Sequence, residues 1–209
     1  MTPNSSETAG AAALPRLIVA TRNRHKTAEI RALIGSQFAV LDATDFPDFP
    51  QVEETGTTFL ENATLKAVAI SRVVDGWVLA DDSGLEVDAL GGAPGVWSSS
   101  FGGEEGNHAR NNDRLIAEMA DQENRAARFR CTMVLARDGE VAADFSGVVE
   151  GSIAASGHGA AGFGYDPLFI PIGHDQTFAE LGEAVKNSIS HRSRALEKAI
   201  AWLAAQPKI

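Results

Sequence analysis

Apolar and polar positions along the chain fall into strand-then-helix alternation first and a strand pair later. Leu17-Ile18-Val19-Ala20 is a continuous apolar run of buried-strand length, and beyond the turn Thr21 to Lys26 the positions Ile30, Leu33 and Ile34 repeat at helical spacing. Asn23 is suited to cap that helix. Phe38 to Leu41 predicts a second, weaker strand. Thr58-Phe59-Leu60-Glu61 has the form of a capping box and predicts a helix reaching about Val74, so Glu61 has a structural explanation. Trp77-Val78-Leu79-Ala80 reads as a buried strand with Asp81-Asp82-Ser83-Gly84 directly at its end. Gly91 to Gly95 is too rich in turn formers to continue any element. Asn111 to Met119 predicts a helix, and Arg128 to Arg137 and Val141 to Glu150 flank Asp138-Gly139, a hairpin signature. Leu168-Phe169-Ile170 predicts a short strand, Phe178 to Leu181 the start of a short helix, and Lys186 to Arg192 the approach to a last one. Ser190 would cap that last helix, with Ala195, Leu196, Ala199, Ile200 and Leu203 as its apolar stripe. The order implies an α/β fold with a mixed sheet or a second lobe.

Three places in this pattern carry charge where charge needs a reason. Two adjacent carboxylates, Asp81 and Asp82, are costly without a cation or proton between them, and reactive groups gather at the carboxyl ends of strands in open α/β sheets. A solvated turn is the plain alternative. The turn Thr21-Arg22-Asn23-Arg24-His25-Lys26 opens a helix, where free N–H groups favour an anion, and it concentrates basic side chains in an acidic protein. His191 and Arg192 fall in a first helical turn, which the helix dipole disfavours for cations, so a ligand or another partner must retain them. Lys66 shares a helical face with Asn62 at i, i+4, with solvation as its default. Gly157 to Gly162 matches GxGxxG, but Phe163-Gly164-Tyr165-Asp166-Pro167 intervenes before any helix, so the match does not indicate a dinucleotide site. It reads instead as a loop placing Phe163 and Tyr165.

Composition narrows the partners. The 209 residues are 44% hydrophobic and 22% charged, an ordinary soluble mixture. The formal net charge of −10 argues against nucleic-acid binding, and no apolar run approaches the ~20 residues of a membrane helix. The one cysteine, Cys131, sits in a strand-like run as a small core residue, in keeping with a cytoplasmic location. Residues 1–15 read as a flexible tail without targeting features, and the remaining length, 16–209, is enough for one domain or two closely packed lobes.

Five segments, taken together and in order, resemble the inosine/xanthosine triphosphate pyrophosphatases, the Ham1-like family acting on non-canonical purine nucleotides. They are Thr21 to Lys26; Glu53 to Gly56 with Phe59 to Lys66; Ala80 to Gly84 with Gly91 to Gly95; Gly162 to Pro167; and Lys186 with Ser190-His191-Arg192. The resemblance implies a two-lobed α/β fold around a long mixed sheet, a homodimer, and magnesium-dependent hydrolysis of nucleoside triphosphate to monophosphate and pyrophosphate. It implies Asp82 as general base and metal ligand, with Glu53 as the other ligand. Thr21, Arg22, Asn23, Arg24, His25, Lys26 and Lys66 would contact the triphosphate, Ser83 the substrate, and Phe163, Gly164, Tyr165, Asp166, Lys186, His191 and Arg192 the nucleoside. Magnesium held by one or two carboxylates plus phosphate oxygens is in keeping with that set. Donors at Lys186, His191 and Arg192 would favour an oxygen over an amino group at purine C6. The chain departs from the family at Ser98-Ser99-Ser100-Phe101, where Ser100 replaces an arginine, and at Arg22, which replaces a small residue. A nucleotide-binding module without turnover, and a hydrolase of modified pyrimidine triphosphates, are the competing readings.

Overall fold

The computed structural model describes residues 14–46 and 48–206; most of the segment read as a tail lies outside them. One six-stranded sheet runs through the molecule in the order β2-β1-β3-β4-β5-β6. Its strands are β1 (Arg16–Val19), β2 (Ala39–Leu41), β3 (Trp77–Val87), β4 (Ala126–Arg137), β5 (Glu140–Ile153) and β6 (Phe169–Pro171). The helices are α1 (Arg24–Ile34), α2 (Phe59–Ser71), α3 (His108–Glu118), α4 (Phe178–Ile189) and α5 (His191–Ala204). β2, β1 and β3 are parallel, joined by helical crossovers, whereas β3, β4, β5 and β6 are antiparallel neighbours. The sheet is mixed, and both halves of the expected pattern are present in it.

Strand alternation sorts the core of the first lobe onto two faces. Leu17, Val19 and Leu79 pack with Ile30 and Ile34 of α1 and Ala195, Leu196 and Ala199 of α5. Ile18, Val78 and Ala80 pack on the other face against Ala63, Ala67 and Ile70 of α2. The far ends of β3, β4 and β5 carry Leu85, Val87, Phe129, Val149 and Ile153 into a third cluster with Leu115 of α3, Phe169 and Phe178. The two lobes therefore share three long strands.

Two boundaries differ from the expected ones for identifiable reasons. β3 does not stop at Ala80. Its parallel neighbour β1 ends at Val19, opposite Leu79, but β4 continues to pair with β3 from Ala136 to Ala127, so Asp81 to Val87 stay in the ladder. Asp81 and Asp82 still lie at the carboxyl end of the parallel part. Lys186 to Ile189 belong to α4, not to a connection: Gly182, at φ 78°, kinks this helix, and the second half resumes the helical pattern after it. α2 also ends at Ser71, three residues before Val74.

Candidate active site

Asp81 and Asp82 solve the adjacent-carboxylate problem through the pleat. Successive side chains of a strand leave on opposite faces, so Asp81 follows Leu79 toward α1 and α5, and Asp82 follows Ala80 toward α2. Each meets its own cations. On the α2 face, Asn62 Nδ2 and Lys66 Nζ both lie 3.4 Å from Asp82 carboxylate oxygens. The i, i+4 pair of α2 is thus aimed at one carboxyl group. The capping box fixes this face, with Thr58 and Glu61 satisfying each other's backbone N–H groups. Lys66 also binds Glu54 at 2.7 Å. Burial raises the Asp82 pKa above the usual carboxylate range, with Glu54 and Asp81 adding to the rise, while Lys66 and Lys26 oppose it. Burial works against the Lys66 ammonium, but Asp82, Glu54 and Asp81 hold its pKa above the ordinary value.

On the opposite face, Asp81 is buried between Lys26 Nζ at 3.2 Å and the Arg192 guanidinium, whose Nε and Nη2 donate to Oδ2 at 3.2 and 3.1 Å. Burial would raise its pKa, but Lys26, Arg192 and Lys66 together drive it well below the ordinary value. Arg192 also pairs with Glu29 of α1 and donates to Ser83 Oγ at 2.8 Å. Glu29 in turn meets Lys186 at 2.7 Å, and Lys186 meets Asp166 at 2.6 Å. Burial of Asp166 raises its pKa even against Lys186. Asp81 and Glu29 thus retain the Arg192 cation that the α5 dipole disfavours.

His191 is buried beside them, stacked on Phe129 with ring centres 4.8 Å apart. Among the described residues its Nδ1 has no hydrogen-bond partner, and burial, with Arg192 and Lys186 adding, holds its pKa well below 6.5. α5 can approach β5 this closely because position 147 is glycine. A Cβ there would collide with the His191 carbonyl and stand 2.6 Å from the Ala195 N–H nitrogen.

A cavity of about 630 Å³ lies between the lobes and gathers most of these groups. Thr21, Arg22, Asn23 and Lys26 from the first turn line it, together with Glu53, Glu54, Lys66, Asp82 and Ser83. Phe163, Gly164, Tyr165, Asp166, Lys186, His191 and Arg192 complete the set. Arg24 is exposed and does not line it. His25 does not line it either; its ring stacks on Phe163 at 5.1 Å and borders a smaller neighbouring cavity. Arg22 is exposed and donates to the Phe49 carbonyl at 2.6 Å, and Asn23 is committed to capping α1. The Tyr165 hydroxyl donates to the Ser98 carbonyl, so that ring serves the cavity wall. Phe163 sits over Lys186, 4.6 Å from ring centre to Nζ. Its turn depends on Gly162, at φ 78°, where a Cβ would overlap Asp166 Oδ2.

Sequence reasoning missed Glu29, Glu54, Asn62 as an Asp82 partner, and the division of labour within Asp81-Asp82. The spacing of Lys26 and Glu29, three apart on α1, was the available signal for the first.

The match to known proteins agrees with this arrangement. The Ham1 family profile covers residues 17–202. The chain belongs to the Ham1 family. It is 45% identical over 189 residues to the dITP/XTP pyrophosphatase of Halalkalibacterium halodurans, covering 89% of this chain and 97% of that one. It is 48% identical over 186 residues to the dITP/XTP pyrophosphatase of Geobacter sulfurreducens, with 88% and 94% covered. Among solved structures, a HAM1 protein from Coxiella burnetii superposes with a TM-score of 0.82 at 37% identity, over 92% of this chain and 100% of that one.

Proposed function

We propose that this chain hydrolyses inosine, deoxyinosine and xanthosine triphosphates to the monophosphate and pyrophosphate, removing non-standard purines from the nucleotide pool. The observation that carries the reading is Asp82. It is a buried carboxylate with a raised pKa, held by Lys66 and Asn62 in a cavity lined by Lys26 on one side and Lys186, His191 and Arg192 on another. Two Ham1 relatives, 45% and 48% identical, carry the name dITP/XTP pyrophosphatase.

In this reading Asp82 accepts a proton from the water that attacks the α-phosphorus. The new Pα–O bond forms as the bond to the bridging oxygen breaks, and pyrophosphate leaves. Lys26 and Lys66 offset charge on the phosphate oxygens, which is where positioned cations lower the barrier for phosphoryl chemistry. Among the described residues no three His, Cys, Asp or Glu side chains form a metal cage. The oxygen donors Glu53, Glu54 and Asp82 on one cavity wall do fit a hard divalent ion that completes its shell with phosphate oxygens. Glu53 and Asp82 would hold magnesium, which when bound supplies neutralisation of phosphate charge. Lys186, His191 and Arg192 would face the base, with Phe163 against it. The reading extends to a cytoplasmic homodimer, supported by the family resemblance, with the free, buried Cys131 in keeping with that location; sedimentation at micromolar concentration tests the dimer.

The deciding experiment incubates the protein with magnesium and a panel of purine and pyrimidine triphosphates. Stoichiometric pyrophosphate from inosine triphosphate is expected. Binding without product would make the chain a nucleotide-binding module, and preference for modified pyrimidines would replace the substrate class.

A further inference from the structure

Lys26 and Arg192 both line the cavity, one near the first turn and the other beside Lys186 and His191, and Asp81 does not line it. The Asp81 carboxylate is 1% exposed and lies between them, Oδ1 toward Lys26 and Oδ2 toward Arg192. Ser83 Oγ and Cys131 Sγ, at 3.3 and 3.9 Å, are its other neighbours. From there the ion pairs continue through Glu29 to Lys186 and Asp166, alternating in sign across β3, α1, α5, α4 and the turn at Phe163. Asp81 is therefore a shared counter-ion that does not line the cavity, with one cavity-lining cation on each side, of which Arg192 is itself 1% exposed and Lys26 the more open.

We propose that Asp81 is a positioning residue that couples polyphosphate binding at Lys26 to base binding at Arg192. The inference rests on the reading that phosphates occupy the Lys26 end and a purine the Arg192 end. A polyphosphate draws the Lys26 ammonium toward itself. The Asp81 charge then bears more strongly on Arg192, the remaining cation in direct contact with it, and holds its guanidinium more firmly in the orientation the base meets. Linkage makes the effect reciprocal: a base engaging Arg192 frees Lys26 for phosphate by the same factor.

The test uses two probes, inorganic tripolyphosphate and inosine, titrated calorimetrically in magnesium buffer, each alone and with the other saturating. In the parent protein each probe should tighten the other by a factor on the order of ten, within the usual range of site–site coupling. In Asp81→Asn the factor should fall to about one, and in Lys26→Met inosine alone should bind as it binds the tripolyphosphate-saturated parent. The Lys26→Met measurement stands even where Asp81→Asn does not fold. The proposal is overturned by an uncoupled parent, by coupling that survives Asp81→Asn, by unchanged inosine affinity in Lys26→Met, or by failure of either probe to bind. Hydrolysis of inosine triphosphate is assayed separately: coupling without hydrolysis removes the activity reading alone, and hydrolysis without coupling removes the relay alone.

Discussion

In a β-strand the residue that follows a carboxylate faces the other way, and at Asp81-Asp82 this gives the two groups different partners and opposite pKa shifts. Asp81 lies between the charges of Lys26 and Arg192 and its pKa is driven down; Asp82 is held by contacts at 3.4 Å and burial raises its pKa. A base needs a proton affinity near its working range, so Asp82 is the one to remove. Asp82→Asn should fold as the parent does by circular dichroism while kcat falls about 10²–10⁴-fold. Near-parental turnover would exclude it as the base. His191 supports a pH prediction. Its folded pKa is depressed by burial below the unfolded value of about 6.5, so below that pH the unfolded chain binds a proton that the folded chain does not. Stability is then complete above about pH 6.5 and declines as pH falls, with a slope approaching 1.4 kcal/mol per unit. His191→Phe should flatten that part of the Tm-versus-pH curve between pH 5 and 7; an unchanged slope would mean that other groups set it.

Local signals made most elements legible. Asn23, Thr58 and Ser190 cap the helices their positions indicate, and the strands around Asp138-Gly139 form the β4–β5 hairpin. Three features were not legible from local signals, two of them because they depend on partners distant in sequence. β3 runs through Asp81 to Val87 only because β4 pairs there, although aspartates and a glycine disfavour a strand. The helical state of Lys186 to Ile189 follows a kink at Gly182 that reads locally as a break. Glu29 becomes a site residue only when α5 brings Arg192 against α1, 163 positions away in the chain. The α5 N-terminus is itself placed by contact with β5 at Gly147, which gives an element-scale prediction. Gly147→Ala must push His191 and Arg192 away from β5, so inosine triphosphate should lose kcat/KM by tenfold or more, with the base-end contacts affected first. Tripolyphosphate affinity, with phosphates at the Lys26 end as proposed, should change far less. Equal losses for both ligands would mean that the helix shift propagates through the whole site.

At the scale of the molecule, the three core clusters are joined by strands that pass between them. β3 contributes Val78 and Ala80 to one cluster, Leu79 to the second, and Leu85 and Val87 to the third. β4 does the same with Val134, Met133 and Phe129. Opening either lobe alone would leave half of each long strand unpaired on a buried face, and unpaired buried backbone groups are costly. The lobes should therefore unfold together, with calorimetric and van't Hoff enthalpies in agreement. The cavity lies between the lobes and draws its lining from both, so a ligand there binds the folded state and not the unfolded one. By mass action, tripolyphosphate at 100 times its Kd should add about 2.7 kcal/mol and move the single transition upward as one unit. In Asp81→Asn the shift per decade of ligand above Kd should persist, because that slope depends on linkage and not on affinity, while the concentration at which it begins should change. Two resolved transitions, or a ligand shift confined to one of them, would show that the shared strands do not make the lobes cooperative.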